Sequence, residues 1–224
     1  MTLHGSGEHM PEGAVKGEGL FIDHVIYGVV DIDAAAKRLR EEYGLGSVQG
    51  AMHLGGTSNR IVPLGPECFL ELLGIEDTSK DDGAWLEATL QGRDRVLWWC
   101  LGVDDLDDSA ARRGLPIHVG QARTGDRDEL NFRTAGMPRY PLPFFLSLIN
   151  DRETRHRVQK QRYEAAAHTC APTDFTFVEV GDYEAVMEGW LGPNHGLPVR
   201  YAPGTGSGIH ACGIATANGE IILR

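Results

Sequence analysis

Apolar, β-branched runs alternate with short amphipathic helices along most of the chain. Phe21 to Val30 reads FIDHVIYGVV, which predicts a strand. Asp31-Ile32-Asp33 follows, and Asp31 or Asp33 can cap the helix that starts there. Ala35, Leu39 and Tyr43 recur at fourfold spacing on one face, with Lys37, Arg38, Glu41 and Glu42 largely outward. Gly44 and Gly46 end this helix. Three short strands are predicted next, over Ser47 to Leu54, Asn59 to Leu64 and Cys68 to Ile75, punctuated by Gly55-Gly56 and Gly65-Pro66. The order is β-α-β-β-β.

The pattern then restarts. Arg95 to Val103 (RVLWWCLGV) is a second strong strand, and Asp104 to Asp107 introduces a short helix, Asp108 to Arg113, closed by Gly114. Pro116 to Gln121 and Glu129 to Thr134 read as a hairpin around Gly125-Asp126, and Leu142 to Ile149 closes the unit. HVIYGVVDID from His24 lies over WWCLGVDDLD from Trp98 with an offset of 74; FLEL at Phe69 lies over FLSL at Phe145 with an offset of 76. Such a period means two copies of one supersecondary unit. Beyond them, Asp151 to Ala167 is a charged, helix-like segment expected to link units or pack across the outside. Thr173 to Val180, Asp182 to Leu191, Leu197 to Ala202, His210 to Thr216 and Glu220 to Leu223 repeat the β-α-β-β-β order, as a third copy or as an unrelated β-rich extension.

The fold class is therefore α+β: tandem βαβββ units forming a curved, half-closed mixed sheet around a cleft, with the third unit as one reading of the C-terminus. The expected organisation is a flexible tail at 1–19, a principal domain at 20–150 (units 20–76 and 94–150), and a linker helix plus C-terminal α/β extension at 151–224. With 224 residues and 42% hydrophobic content, the chain is long enough to bury a sizeable core. The first residues lack the apolar stretch of a signal peptide, and no run approaches the length of a membrane helix. A net charge of −11 argues against nucleic acid and anionic membranes as partners. Cys68, Cys100, Cys170 and Cys212 are widely spaced without a CxxC, which predicts reduced, buried thiols and a cytoplasmic location.

Side chains alternate across each strand, so every second residue faces the cleft. A polar residue there is costly unless hydrogen-bonded, metal-bound or wetted. His24 interrupts the first strand, His53 lies near the end of the second, and Glu71 sits in FLELLGI, sharing a face with Phe69 and Leu73. Two imidazoles and a carboxylate can hold a divalent metal and leave positions open for substrate, where it would polarise a carbonyl or stabilise an enediolate oxyanion. The competing reading is structural: strand histidines are commonly hydrogen-bonded core residues, and Glu71 can pair with Arg60 or another buried cation. In His53 to Asn59, Gly55-Gly56 permits a tight turn and close backbone approach, while Thr57 and Asn59 carry a hydroxyl and an amide. Either they rim the cleft and bind substrate oxygens, or they satisfy their own turn. Trp98 and Trp99 point to opposite faces, so one lines the cleft. No GxSxG, P-loop, GxGxxG or HExxH is present.

At IDHVIYGVVDIDAAAKRL and MHLGGTSNRIVPLGPECFLELLGI the chain resembles the glyoxalase-like domain proteins of the vicinal oxygen chelate superfamily. The carrying residues are Asp23-His24, the His-x-Gly-Gly-Thr-x-Asn stretch from His53 to Asn59, and Leu70-Glu71-Leu72, continued by Arg123 and Leu142 to Phe145, with coverage from 20 to 150 and on through His168. The resemblance implies a metal-assisted lyase, isomerase or dioxygenase acting on an oxygenated small molecule, or a non-catalytic binding or sequestration protein of the same fold. His24 and Glu71 match the ligand positions of that group for a divalent Fe, Mn, Zn, Ni or Mg ion, and His53 of the same unit is the further nitrogen that this chain itself offers. Glu71 and His53 would be catalytic, and Thr57, Asn59, Trp98, Arg123 and His168 would contact substrate. Trp98 and Ser147 stand where the second unit would repeat His24 and Glu71, so a standard glyoxalase I is not expected. Exposed sheet edges allow a homodimer, with no specific signal for one.

Overall fold

Each half of the chain begins with a strand running into an aspartate-capped helix. The computed structural model describes residues 19–124, 128–137, 141–148, 152–192 and 195–224, with backbone alone at 121–124, 128–131, 148 and 152. All of the expected N-terminal tail except Gly19 therefore lies outside the described residues. β1 (Phe21–Val29) leads into α1 (Ile32–Tyr43), where Asp31 is the cap and accepts the Asp33 and Ala34 N–H groups at 3.0 and 2.9 Å. β2 (Val48–His53), β3 (Thr57–Pro63) and β4 (Phe69–Ile75) complete the unit, and α2 (Asp81–Leu90) follows it. β5 (Arg95–Gly102) and α3 (Leu106–Arg113) repeat the start; Asp105, 74 residues after Asp31, accepts the Asp108 N–H at 2.9 Å. Both helices stop at a left-handed glycine, Gly44 or Gly114, a conformation that carries no Cβ penalty there. β6 (Ile117–Thr124), β7 (Asp128–Ala135) and β8 (Phe144–Leu148) finish the second unit; the turn expected at Gly125-Asp126 lies outside the described residues.

Within each unit the strands lie side by side in the order first, fourth, third, second. β1 pairs in parallel with β4, and β5 with β8; the remaining neighbours are antiparallel. The two units join at both ends. β1 runs antiparallel to β5, and β2 antiparallel to β6, so the eight-stranded sheet closes into a barrel, β1-β4-β3-β2-β6-β7-β8-β5. The curved mixed sheet around a cleft is thus present, and the β2–β6 ladder takes it past the half-closed form expected. Closure removes strand edges from this part of the molecule.

After α4 (Arg152–Ala166) come β9 (Pro172–Gly181), α5 (Glu184–Leu191), β10 (Val199–Ala202), β11 (Gly208–Thr216) and β12 (Gly219–Leu223). They keep the element order of the repeat but not its pairing: the sheet runs β10-β9-β11-β12, second, first, third, fourth. β11 packs on β5, and Phe175, Cys212 and Ile214 join Trp99 and Leu101 in one continuous apolar core. All four cysteines are buried and free.

Two helices depart from the sequence expectations. α2 had no predicted counterpart. Its cap position is Lys80, which makes no side-chain cap bond. The first-turn N–H groups of Asp82 and Gly83 instead donate to the Gly55 carbonyl at 3.0 Å, so a distant turn satisfies the orphan donors. Gly55 is small because Asp82 lies against it; its close backbone approach is to this helix. α4 was expected to link units or pack across the outside. It follows the second unit in the chain, and it lies against β2 and β3, presenting Arg155, Val158, Gln159 and Arg162 to the barrel cavity rather than to the outside.

The far end of α4 is held by the first unit. Arg40 donates to the Ala166 and Ala167 carbonyls at 2.6 and 3.2 Å, the Thr169 N–H donates to the Gly44 carbonyl at 2.9 Å, and the Gly46 N–H donates to His168 Nδ1 at 3.0 Å. At Gly46 an added Cβ would collide with the Ala166 carbonyl oxygen. Gly46→Ala is therefore expected to lower unfolding stability in urea by about 1–3 kcal/mol. Gly189→Ala, in α5 with open space around its Cα, should be neutral or stabilising by up to about 1 kcal/mol. Equal effects at the two positions would contradict the tight α4 seat.

Candidate active site in the barrel interior

The interior of the barrel holds a cavity of about 440 Å³, within the roughly 300–1,000 Å³ range of small-molecule sites. The period of two is visible in its walls. His24 and Ile26 face it from β1, Thr57, Asn59 and Ile61 from β3, Phe69, Glu71 and Leu73 from β4, and Phe144 and Leu146 from β8. Most of the surface is apolar, so the polar residues stand out against it.

Asp23, His24 and Glu71 are 2%, 5% and 7% exposed. Neighbouring residues on a strand normally face opposite ways, yet Asp23 and His24 both line the cavity. A register shift between Ile22 and His24 in the β1–β5 ladder accounts for this, since a bulge re-aims a side chain. His24 Nδ1 lies 2.8 Å from Asp23 Oδ1, and His24 Nε2 lies 3.4 Å from Glu71 Oε2. Asn59 donates to Glu71 Oε1 at 2.6 Å, while its own oxygen accepts the Ala51 N–H at 2.6 Å. Arg155 of α4 hydrogen-bonds the other oxygen of Asp23. Phe69 stacks on the imidazole, with centroids 4.7 Å apart. The result is one line of charges: Arg155, Asp23, His24, Glu71. Burial works against the charged imidazolium, but the hydrogen bond to Asp23 and the charges of Glu71 and Asp23 outweigh it, so the His24 pKa is raised.

Arg60, suggested by the sequence as a partner for Glu71, instead binds Ser47 and Asp33. His53 and Thr57 line the cavity and bond each other at 2.8 Å across the 54–56 turn, so they brace that turn as well as rimming the space. Trp98 lines the cavity with its indole N–H donated to the Leu142 carbonyl at 2.7 Å; Trp99 is fully buried on the other face. His168 does not line the cavity. It accepts the Gly46 N–H, packs on Tyr163, and burial lowers its pKa. Arg123 has its backbone in β6 opposite Met52, and its side chain lies outside the described residues. Ser147 is not among the lining residues either: Phe144 and Leu146 face inward, and Ser147 has the opposite parity. The FLEL–FLSL match therefore holds in sequence but falls on the wrong face, because a one-residue change of register inverts a strand.

The residues that sequence reasoning missed are those of α4. Arg155, Val158, Gln159 and Arg162 stand at i, i+3, i+4 and i+7, the signature of one helical face.

The donor chemistry can be tested against a metal ion. Two ligands at about 2.1 Å from one ion, at a near-tetrahedral angle, lie roughly 3.4 Å apart, which is the separation of His24 Nε2 and Glu71 Oε2. Asp23 on Nδ1 is the second partner that orients a ligating imidazole. His53 does not complete the set. Among the described residues, the group of three or more His, Cys, Asp or Glu whose ligand atoms lie within 4.8 Å of one another is Asp23–His24–Cys100. In that group Asp23 is already engaged by His24 and Arg155, and burial pushes the Cys100 thiol well above its usual range.

The sequence profile of a glyoxalase-like domain family matches residues 22–186. No curated protein matches the chain. A hypothetical protein from Staphylococcus aureus shares the fold: 14% identity, 88% of this chain and 92% of that one covered, TM-score 0.68. Methylmalonyl-CoA epimerase from Streptomyces coelicolor, in complex with 2-nitronate-propionyl-CoA, aligns at 20% identity over 58% of this chain and 94% of its own, TM-score 0.44. That from Mycobacterium tuberculosis aligns at 19% over 62% and 92%, TM-score 0.43. Among the described residues no helix is long and apolar enough to cross a membrane.

The two donor groupings predict different metal titrations. With Mn²⁺, Ni²⁺ or Zn²⁺ followed by calorimetry, His24→Ala and Glu71→Ala should each weaken binding at least tenfold, and Cys100→Ala should leave it unchanged. Loss in Cys100→Ala with retention in Glu71→Ala would move the site to the Asp23–His24–Cys100 group.

Proposed function

The chain belongs to the glyoxalase-like domain family of the vicinal oxygen chelate superfamily, and on that premise we propose that the barrel interior is the active site of a small-molecule enzyme. The reaction we assign is proton transfer beside a carbonyl of an oxygenated substrate, as in an isomerase or lyase. One observation carries this reading: Glu71, a carboxylate in an apolar cavity, is held from one side by Asn59 and faces His24 on the other.

Asn59 fixes one oxygen of Glu71 and leaves Oε2 toward His24 and the cavity. A base so placed needs no reorganisation to take a proton from a substrate carbon, and general-base catalysis of this kind contributes about 10²–10⁴-fold. His24 is oriented by Asp23 and kept basic by it, so its Nε2 can hold a proton close to the same carbon or to the enolate oxygen. Thr57 and His53, bonded to each other at the rim, offer a hydroxyl and an imidazole to substrate oxygens. Trp98, Phe144 and Leu146 make the second unit's side of the cavity apolar and exclude water. A divalent ion held by His24 Nε2 and Glu71 would take the place of that Nε2 proton and supply Lewis-acid stabilisation of a developing oxyanion.

A second reading has a specific observation behind it. The second unit contributes no ligand-type side chain from β5 or β8 among the lining residues, which suits a non-catalytic small-molecule binder.

The two readings separate by solvent exchange. In D₂O, the native protein should accelerate deuterium incorporation beside the carbonyl of at least one member of a panel of α-hydroxy and α-oxo carbonyl compounds, followed by proton NMR. Glu71→Gln should slow that exchange by about a hundredfold or more. Exchange that is absent throughout the panel, or unaffected in Glu71→Gln, would overturn the assignment.

A further inference from the structure

The α4 wall carries two polar groups that the proposed chemistry does not use. Arg155 has a partner in Asp23, and the other two polar members of the same face do not match it. Arg162 makes no hydrogen bond or ion pair among the described residues although it lines the cavity. Burial lowers its pKa, with Asp23 the opposing charge. Gln159 is 5% exposed, and its Oε1 is buried without a hydrogen-bond partner. Unpaired buried polar groups are rare in folded proteins, and a desolvated guanidinium without an anion burdens the fold. The buried Gln159 Oε1 and the half-buried Arg162 guanidinium, one helical turn apart and facing one cavity, describe a receptor for something charged.

The remaining walls say what that something is attached to. Leu73, Leu97, Trp98, Phe132, Phe144 and Leu146 enclose the space in hydrocarbon. Leu54, Trp85 and Met137 line it as well while being exposed to solvent, so the approach is apolar too. The charges fix the valence. Among the described residues that line the cavity, His24 and Arg155 are committed to Asp23 and Glu71, which leaves Arg162 as the free cation there, with the exposed Asp82 on the rim. One free cation among the described lining residues matches a single negative charge and not two.

We infer that the site takes an amphipathic monocarboxylate with an aliphatic or aromatic body, its carboxylate paired with Arg162 and an adjacent hydroxyl or N–H donor received by Gln159 Oε1. Guanidinium and carboxylate match in shape and make two parallel hydrogen bonds. The inference rests on the barrel interior being the ligand site, but not on the role given to Glu71. Binding is measured without turnover, so it can succeed where the exchange experiment fails, and the reverse.

The test is calorimetric titration of the full chain with 4-phenylbutyrate, 4-phenylbutyramide, acetate and phenyl phosphate. The expected order has 4-phenylbutyrate bound about tenfold or more tightly than its amide, and more tightly than acetate or phenyl phosphate. Arg162→Met should erase the preference for acid over amide, and Arg162→Lys should retain part of it. Because Arg162 has no partner to lose, Arg162→Met should melt at the same temperature as the native protein or higher. Gln159→Leu should also not destabilise. Equal affinity for acid and amide, no binding of 4-phenylbutyrate at millimolar concentration, a preference that survives Arg162→Met, tighter binding of phenyl phosphate, or a lowered melting temperature in Arg162→Met would each overturn the inference.

Discussion

Two carboxylates inside a hydrocarbon-walled barrel set the terms for everything around them. Asp23 and Glu71 are both almost fully buried, and an unpaired carboxylate in such a place costs several kcal/mol even after relaxation, about 3–5 kcal/mol when a single partner is removed. His24 lies between them, and Arg155 closes the line behind Asp23. His24 is therefore both a functional candidate and the group that partners both carboxylates. The bulge in β1, the Phe69 ring stacked on the imidazole and the Asn59 bridge to Glu71 all serve to keep that line in register.

That constraint explains why the segment beyond the repeated units belongs to the site. Arg155 comes from a helix 132 residues away from its partner in sequence. The helix in turn is seated by hydrogen bonds from the Arg40 side chain of α1 and with Gly44 and Gly46 of the α1–β2 loop. The duplicated units make the barrel; α4 makes its interior electrically balanced and supplies the unspent Arg162. The C-terminal sheet is tied to the same core through β11 on β5.

Much of this was legible in the sequence, and the misses have physical causes. Glu71 and His24 could be picked out because a polar residue in an apolar strand has few ways to be tolerated. The aspartate-led helix starts, 74 residues apart, make the repeat visible, and the structure adds the left-handed glycines that close both helices. α2 was invisible because its cap is a carbonyl from Gly55 and not a side chain of its own. The overall charge of α4 masks its inward face, whereas the spacing of 155, 158, 159 and 162 carries the information. Ser147 matches Glu71 in the FLSL and FLEL letters alone, and strand parity puts it on the other face. That His53 would turn to Thr57 and not gather with His24 and Glu71 depends on side-chain placement at the β2–β3 turn, which periodicity does not encode.

The charge line has one spectroscopic consequence that belongs to it alone. In the metal-free protein, ¹⁵N NMR of His24 should show a proton on Nδ1 throughout the neutral range, donated to Asp23, with more than half of the ring in the imidazolium form at about pH 6.5, where a free imidazole is half protonated. A neutral ring at that pH with Nδ1 bare would mean that Asp23 and Glu71 are not balanced through His24, and the account of this interior would not stand.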